Sequence, residues 1–177
     1  MIRVGRLATL LTTVTLLAGA HGAHANDPDL RATTVPAAEC LPVSSSDASR
    51  VNLANGAWIF NGTTTGTVTF NCPLPINGNT EFDASNTNDM TAYRVFYQDS
   101  DGMGAAAEVT VRVFFRTPSY FPFGPTWTSN SSAATASTTA FQPLVHNLFP
   151  SVLYTFVVTL SRTSTDQKAV FYGIDFP

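Results

Sequence analysis

Asp99-Ser100-Asp101-Gly102-Met103-Gly104 opens as a calcium loop opens, with carboxylates at positions one and three and a glycine at six for the sharp turn. A hard cation needs several oxygens at once, so positions five and twelve matter. Here they are Met103 and Thr110, and Glu108 falls two residues before the bidentate position. Weak calcium binding through Asp99, Asp101 and Glu108 is the sharp reading. The plain one is an ordinary hairpin turn, in which Asp and Gly supply the special backbone angles. No other cofactor is expected.

Catalysis has few side chains to draw on. His146, in Pro143-Leu144-Val145-His146-Asn147-Leu148, is the one base available to a Ser-His-Asp arrangement once the leader is removed, and no Gly-x-Ser-x-Gly elbow presents a serine. A loop or strand-end histidine is the expectation. Glycoside hydrolysis needs only two carboxylates flanking the scissile bond, and Glu39, Glu81, Asp83, Glu108 and Asp175 are available in number. Spacing alone does not bring any two of them together, so an enzyme is left open, with the balance against it.

Tyr120-Phe121-Pro122-Phe123-Gly124-Pro125-Thr126-Trp127 is the candidate binding segment, with Tyr120, Phe121, Phe123 and Trp127 as its contact residues. Proline and glycine predict a loop, and four rings in so short a loop form a costly surface to expose without use. Aromatic rings offer large apolar area at small rotamer entropy, which suits stacking on a sugar or filling a pocket on a protein partner. The competing reading is that the loop folds back and plugs an open end of the domain.

The first 25 residues place all of this outside the cytosol. Arg3 and Arg6 form a positive n-region, Leu7 to Leu17 an apolar stretch, and Ala23-His24-Ala25 a small-x-small cleavage site. The stretch is short against the roughly 20 residues that span a bilayer, so residues 1–25 read as a signal peptide and the product as secreted or periplasmic, with no membrane span after its removal. Cleavage removes two of the three histidines and takes the formal charge from −3 to −5.

Composition excludes further classes. The chain is 44% hydrophobic and 12% charged, with Thr, Ser and Asn supplying most of its polarity. Nucleic-acid binding needs clustered Lys and Arg, and Lys168 is the sole lysine. Arg94, Arg112 and Arg116 are the nearest approach to a cluster. Arg112 and Arg116 lie at even spacing on one predicted strand and so share a face, and solvated strand residues are the plain reading.

In an oxidising compartment Cys40 and Cys72 read as one structural disulfide. Neither a C-x-x-C motif nor a histidine near either cysteine argues for a metal or redox site. Residues 26–39 read as an extended lead-in and 40–177 as one domain. Beyond Cys40, period-two alternation dominates. Ala57 to Phe60 run into Asn61-Gly62, read as a hairpin turn before Gly66 to Cys72, where Val68, Phe70 and Cys72 share a face. Tyr93, Val95 and Tyr97 share another, and Val109, Val111, Val113 and Phe115 a third. Leu153 to Leu160 and Ala169 to Phe176, joined by the polar turn Arg162 to Gln167, complete the strong strands. Weaker ones are expected near Val51, Trp127 and Ala140, and Trp58 is expected in the core. About eight short strands and no convincing amphipathic helix predict an antiparallel β-sandwich, jelly-roll-like.

The hairpin ending in Val68-Thr69-Phe70-Asn71-Cys72-Pro73-Leu74-Pro75, with Cys40 upstream and the later Tyr93-x-Val95-x-Tyr97 strand, resembles small exported bacterial β-sandwich proteins of unassigned activity. The resemblance implies export and the sandwich fold, and no catalytic or ligand residue. The functional expectation is an exported, non-enzymatic binding or surface-interaction module. The alternatives are a secreted carbohydrate-active hydrolase using paired carboxylates and, on the aromatic C-terminal strand Tyr172 to Phe176, a small outer-membrane barrel.

Overall fold

The computed structural model describes residues 33–74, 89–116, 119–147 and 152–176. The signal segment lies outside them. Eleven strands and one short helix form two packed antiparallel sheets: β1 (Thr33–Pro36), β2 (Leu41–Pro42), α1 (Ser45–Arg50), β3 (Val51–Ala54), β4 (Ala57–Phe60), β5 (Gly66–Pro73), β6 (Asp89–Asp99), β7 (Ala107–Arg116), β8 (Tyr120–Thr128), β9 (Thr138–Asn147), β10 (Leu153–Arg162) and β11 (Ala169–Phe176). One sheet runs β3-β4-β11-β6-β9, with β1 also on β11, and the other runs β2-β5-β10-β7-β8. Counting β4 to β11 as eight strands, the orders are first-eighth-third-sixth and second-seventh-fourth-fifth. That is a jelly roll. Among the described residues each sheet ends on unpaired edges, and no pairing closes the strands into a barrel.

Alternation builds the core. On β10, Tyr154, Phe156, Val158 and Leu160 turn inward with Val109, Val111 and Val113 of β7 and Val68, Phe70 and Cys72 of β5. They meet Tyr93, Val95, Tyr97, Phe171 and Ile174 of the facing sheet. The contact is close: the Tyr93 and Phe156 rings lie edge to face with centroids 5.3 Å apart. Cys40 and Cys72 are bonded and wholly buried, fastening the two-residue strand β2 to β5.

Several connections differ from their sequence reading. Asn61-Gly62 does not turn a hairpin, because β4 and β5 belong to different sheets. It carries the chain across the sandwich, and Asn61 holds the crossing by donating to the carbonyls of Ser49 and Val51. The tight turn is instead Asn55-Gly56, both at positive φ, between β3 and β4. Asp99 to Gly104 and Arg162 to Gln167 likewise pass from one sheet to the other. A jelly roll alternates sheets along the chain, so strong neighbours in sequence are mostly not partners.

The lead-in contributes β1, which pairs with Gly173 to Phe176. Gly173 sits at a bulge with φ +148°, and a Cβ there would come within 2.7 Å of the Val35 carbonyl. Helix α1 buries none of its residues and has no apolar face to betray it. Its signal is the Ser44 cap, which accepts from the Asp47 amide at 3.0 Å. Trp58 is half-buried at the core margin, and its indole N–H donates to the carbonyls of Ala37 and Cys40.

Candidate ligand-binding surface

The aromatic segment is an edge strand and not a loop. Among the described residues strand β8 has one neighbour, β7, so residues along its free side need no ladder partner, and Pro122 and Pro125 are tolerated there. Gly124, at φ +66°, opens a bulge in which three residues oppose Arg112. That backbone angle favours glycine, and a Cβ there would also stand 2.5 Å from Leu144 Cδ1, which would have to shift.

Being a strand, the segment divides its rings between two faces. Trp127 is 7% exposed and packs edge to face on Tyr97 at 4.9 Å. Phe123 is partly buried against the same core. Phe121 continues that inner row beyond the core, 45% exposed and stacked on Phe115 at 5.5 Å. Tyr120 points the other way, 44% exposed and stacked on Phe114 at 4.8 Å with an interplanar angle of 18°. The four residues are therefore not one surface. Two are structural, and the two exposed ones lie on opposite sides of the hairpin tip.

The outer side is the richer. Leu153, 71% exposed, pairs with Arg116, which pairs with Tyr120, so the three stand in one row beside Phe114. The Arg112 guanidinium lies 5.7 Å from the Phe114 centroid, and its Nε is buried without a hydrogen-bond partner. Arg112 and Arg116 thus frame an apolar patch and do more than solvate a strand. Phe114 is the residue that sequence reading missed. Its signal was a phenylalanine on the wet phase of β7, between Arg112 and Arg116.

Of the calcium candidates, Asp99 and Asp101 adjoin in the turn and Glu108 faces away from them. Asp99 is wholly buried and accepts from Ser129 Oγ, which itself accepts from the Val109 amide. Asp101 accepts from the amides of Ala106 and Ala107 and so ties the turn. Glu108 is turned to the outer face and accepts from Thr128. Among the described residues no three His, Cys, Asp or Glu side chains are grouped to hold a metal ion. Of the carboxylates available for glycoside chemistry, Glu39 is exposed between β1 and β2, Asp175 is paired with Arg94 on one sheet, and Glu108 lies on the other. Glu81 and Asp83 lie outside the described residues. His146 stands on edge strand β9, opposite Met90.

Burial pushes the Asp99 carboxyl up to about 6; Ser129 opposes the rise and Asp101 adds to it. At Asp101 burial also pushes upward, but hydrogen bonds from Asp99 and the two amides outweigh it and leave the group below its ordinary value. A raised native pKa contributes stability that is complete below about pH 4 and lost as pH rises through 6; a lowered one contributes stability that is lost as pH falls below about 4. The turn is therefore most stabilising near pH 4, with Asp99 protonated and Asp101 ionised, and the Asp99 contribution is lost between about pH 4 and 6. Urea midpoints should decline from pH 4.5 to 7.5 in the native protein, and Asp99→Asn, which fixes the neutral form, should remove most of that decline. An equal decline in the variant would reject the assignment.

No family profile matches the chain and no curated protein matches its sequence. Among solved structures it is similar to a family two carbohydrate esterase from Cellvibrio japonicus, at TM-score 0.41 and 12% identity over 82% of this chain and 33% of that one. The chain spans about a third of that esterase's length. The buried disulfide is the state of an oxidising compartment, extracellular or periplasmic. No helix among the described residues is long and apolar enough to cross a membrane.

Proposed function

We propose that this chain is an exported, non-enzymatic binding module that holds a glycan on the outer face of its β7–β8 edge. The observation that carries the reading is the stack of exposed Tyr120 on half-buried Phe114 at the outer side of a sheet, with Leu153 beside it and Arg112 and Arg116 at its margins. A sugar ring presents an apolar C–H face to an aromatic ring and a rim of oxygens to a planar guanidinium. A rigid strand pair holds both groups without an ordering cost on binding.

The test is retention of the oxidised protein on a panel of immobilised neutral and acidic polysaccharides. Phe114→Ala with Tyr120→Ala should weaken retention at least tenfold while circular dichroism and melting stay unchanged. Undiminished retention in the folded double variant would sink the proposal. Release of reducing ends from any glycan of the panel would favour the hydrolase instead.

A further inference from the structure

A second feature stands apart from the aromatic face. Arg162 is the last inward-facing residue of β10, 6% exposed, where a core position would ordinarily be apolar. Its Nε and Nη2 donate to the carbonyls of Thr64 and Gly62, and its Cζ lies 4.9 Å from the Phe60 centroid. Carbonyl dipoles and a ring face orient the guanidinium but do not neutralise it. Burial pushes its pKa below the ordinary arginine value.

A buried charge is ordinarily matched by an opposite one, since an unmatched ion far from water is costly. None is found here. The Arg94–Asp175 pair is the sole ion pair among the described residues, Asp99 is occupied by Ser129, and Asp166 is exposed in the neighbouring turn. Nη1 has no protein acceptor among them either. Arg162 lines a cleft of about 340 Å³ at the rim of the sandwich, and Lys168, the only lysine of the chain, lines it too. Ala57, Ile59 and Val170 supply apolar wall, and Asn55, Gln98 and Tyr172 supply polar groups.

We infer that this cleft is a binding site for a small organic carboxylate with an apolar body. Two cations in a cleft that also carries apolar side chains fit a ligand with a single anionic group, and the volume falls in the range of small-molecule sites. The Arg162 fork, already held on two sides, offers its remaining N–H groups at little further ordering. Lys168, exposed at the start of β11, adds charge without closing the entrance.

Calorimetric titration of the oxidised protein with benzoate, and with the neutral isostere benzamide, tests this. Benzoate should bind at least tenfold more tightly than benzamide. Lys168→Glu, an exposed change that leaves the fold intact, should weaken benzoate at least tenfold, and so should Arg162→Lys, which keeps the charge but loses the fork. Phe114→Ala with Tyr120→Ala should leave benzoate affinity within twofold, which separates this site from the glycan face. No benzoate binding at millimolar concentration, benzamide within twofold of benzoate, a Lys168→Glu effect below twofold, or a tenfold loss in the Phe114/Tyr120 variant would each overturn the inference.

Discussion

Trp127→Ala should destabilise the domain by about 3–4 kcal/mol, whereas Tyr120→Ala should change stability by less than about 0.5 kcal/mol. The two residues lie seven apart on one strand and are both aromatic, yet only one is in the core. Trp127 is 7% exposed and contributes an edge-to-face contact with Tyr97 in addition to its buried area. Truncating it leaves a cavity where β8 joins the inner sheet face, and an edge strand with one neighbour has little else to hold it. Tyr120 stacks on Phe114 in water, and its loss removes contact area that was already half-wet. Urea unfolding of both variants, read at constant m-value, is the measurement. A Trp127→Ala loss below 1 kcal/mol, together with weakened glycan retention, would return Trp127 to the ligand surface.

Removing the disulfide as the Cys40→Ala, Cys72→Ala pair should cost about 3.7 kcal/mol, the chain-entropy value for a loop of about 33 residues. The sequence separation of the two cysteines is 32. Alanine is preferred to serine because both sites are wholly buried and a hydroxyl there would add its own desolvation penalty. The loss should be felt first at the N-terminal end. Strand β2 has only two paired residues, Leu41 with Asn71 and Pro42 with Phe70, so the bond is its principal anchor. The indole N–H of Trp58 donates to the carbonyls of Ala37 and Cys40, and loosening that turn should alter Trp58 fluorescence before the core unfolds. Equal urea stability of the oxidised protein and the double alanine variant would show that the bond is dispensable.

The legible part of the fold was its local part. Period two assigned Val68, Phe70 and Cys72, then Tyr93, Val95 and Tyr97, then Val109, Val111, Val113 and Phe115 to inner faces; the first nine are buried, and Phe115, near the end of β7, is half-buried. The turn at Asp99 to Gly104 was placed by its residue types. What such signals cannot carry is the identity of a strand's partner. A turn between two alternating segments looks the same whether it closes a hairpin or crosses a sandwich, and Asn61-Gly62 and Asp99–Gly104 both cross. The short pieces β1, β2 and α1 escaped because they carry too few apolar residues to show a period; the disulfide, Gly173 and the Ser44 cap hold them.

For the candidate site the division is sharper. Residue types alone marked Tyr120 to Trp127 as unusual, but Pro and Gly are equally compatible with a loop and with an edge strand, since both free the backbone from making two ladders. Only the pairing of β8 with β7 decides between them, and alternation then sends Tyr120 outward and Phe121, Phe123 and Trp127 inward.

The sequence by itself determined the strand-rich class, the inner faces, the pairing of its two cysteines and the scarcity of groups that exchange protons near neutrality, because each follows from composition or from contacts within a few residues. Tertiary structure alone decided which strands are neighbours, which rings stay wet and why Arg162 and Lys168 share a cleft, because those depend on segments as far apart as Ala54 and Val170 being brought to one rim.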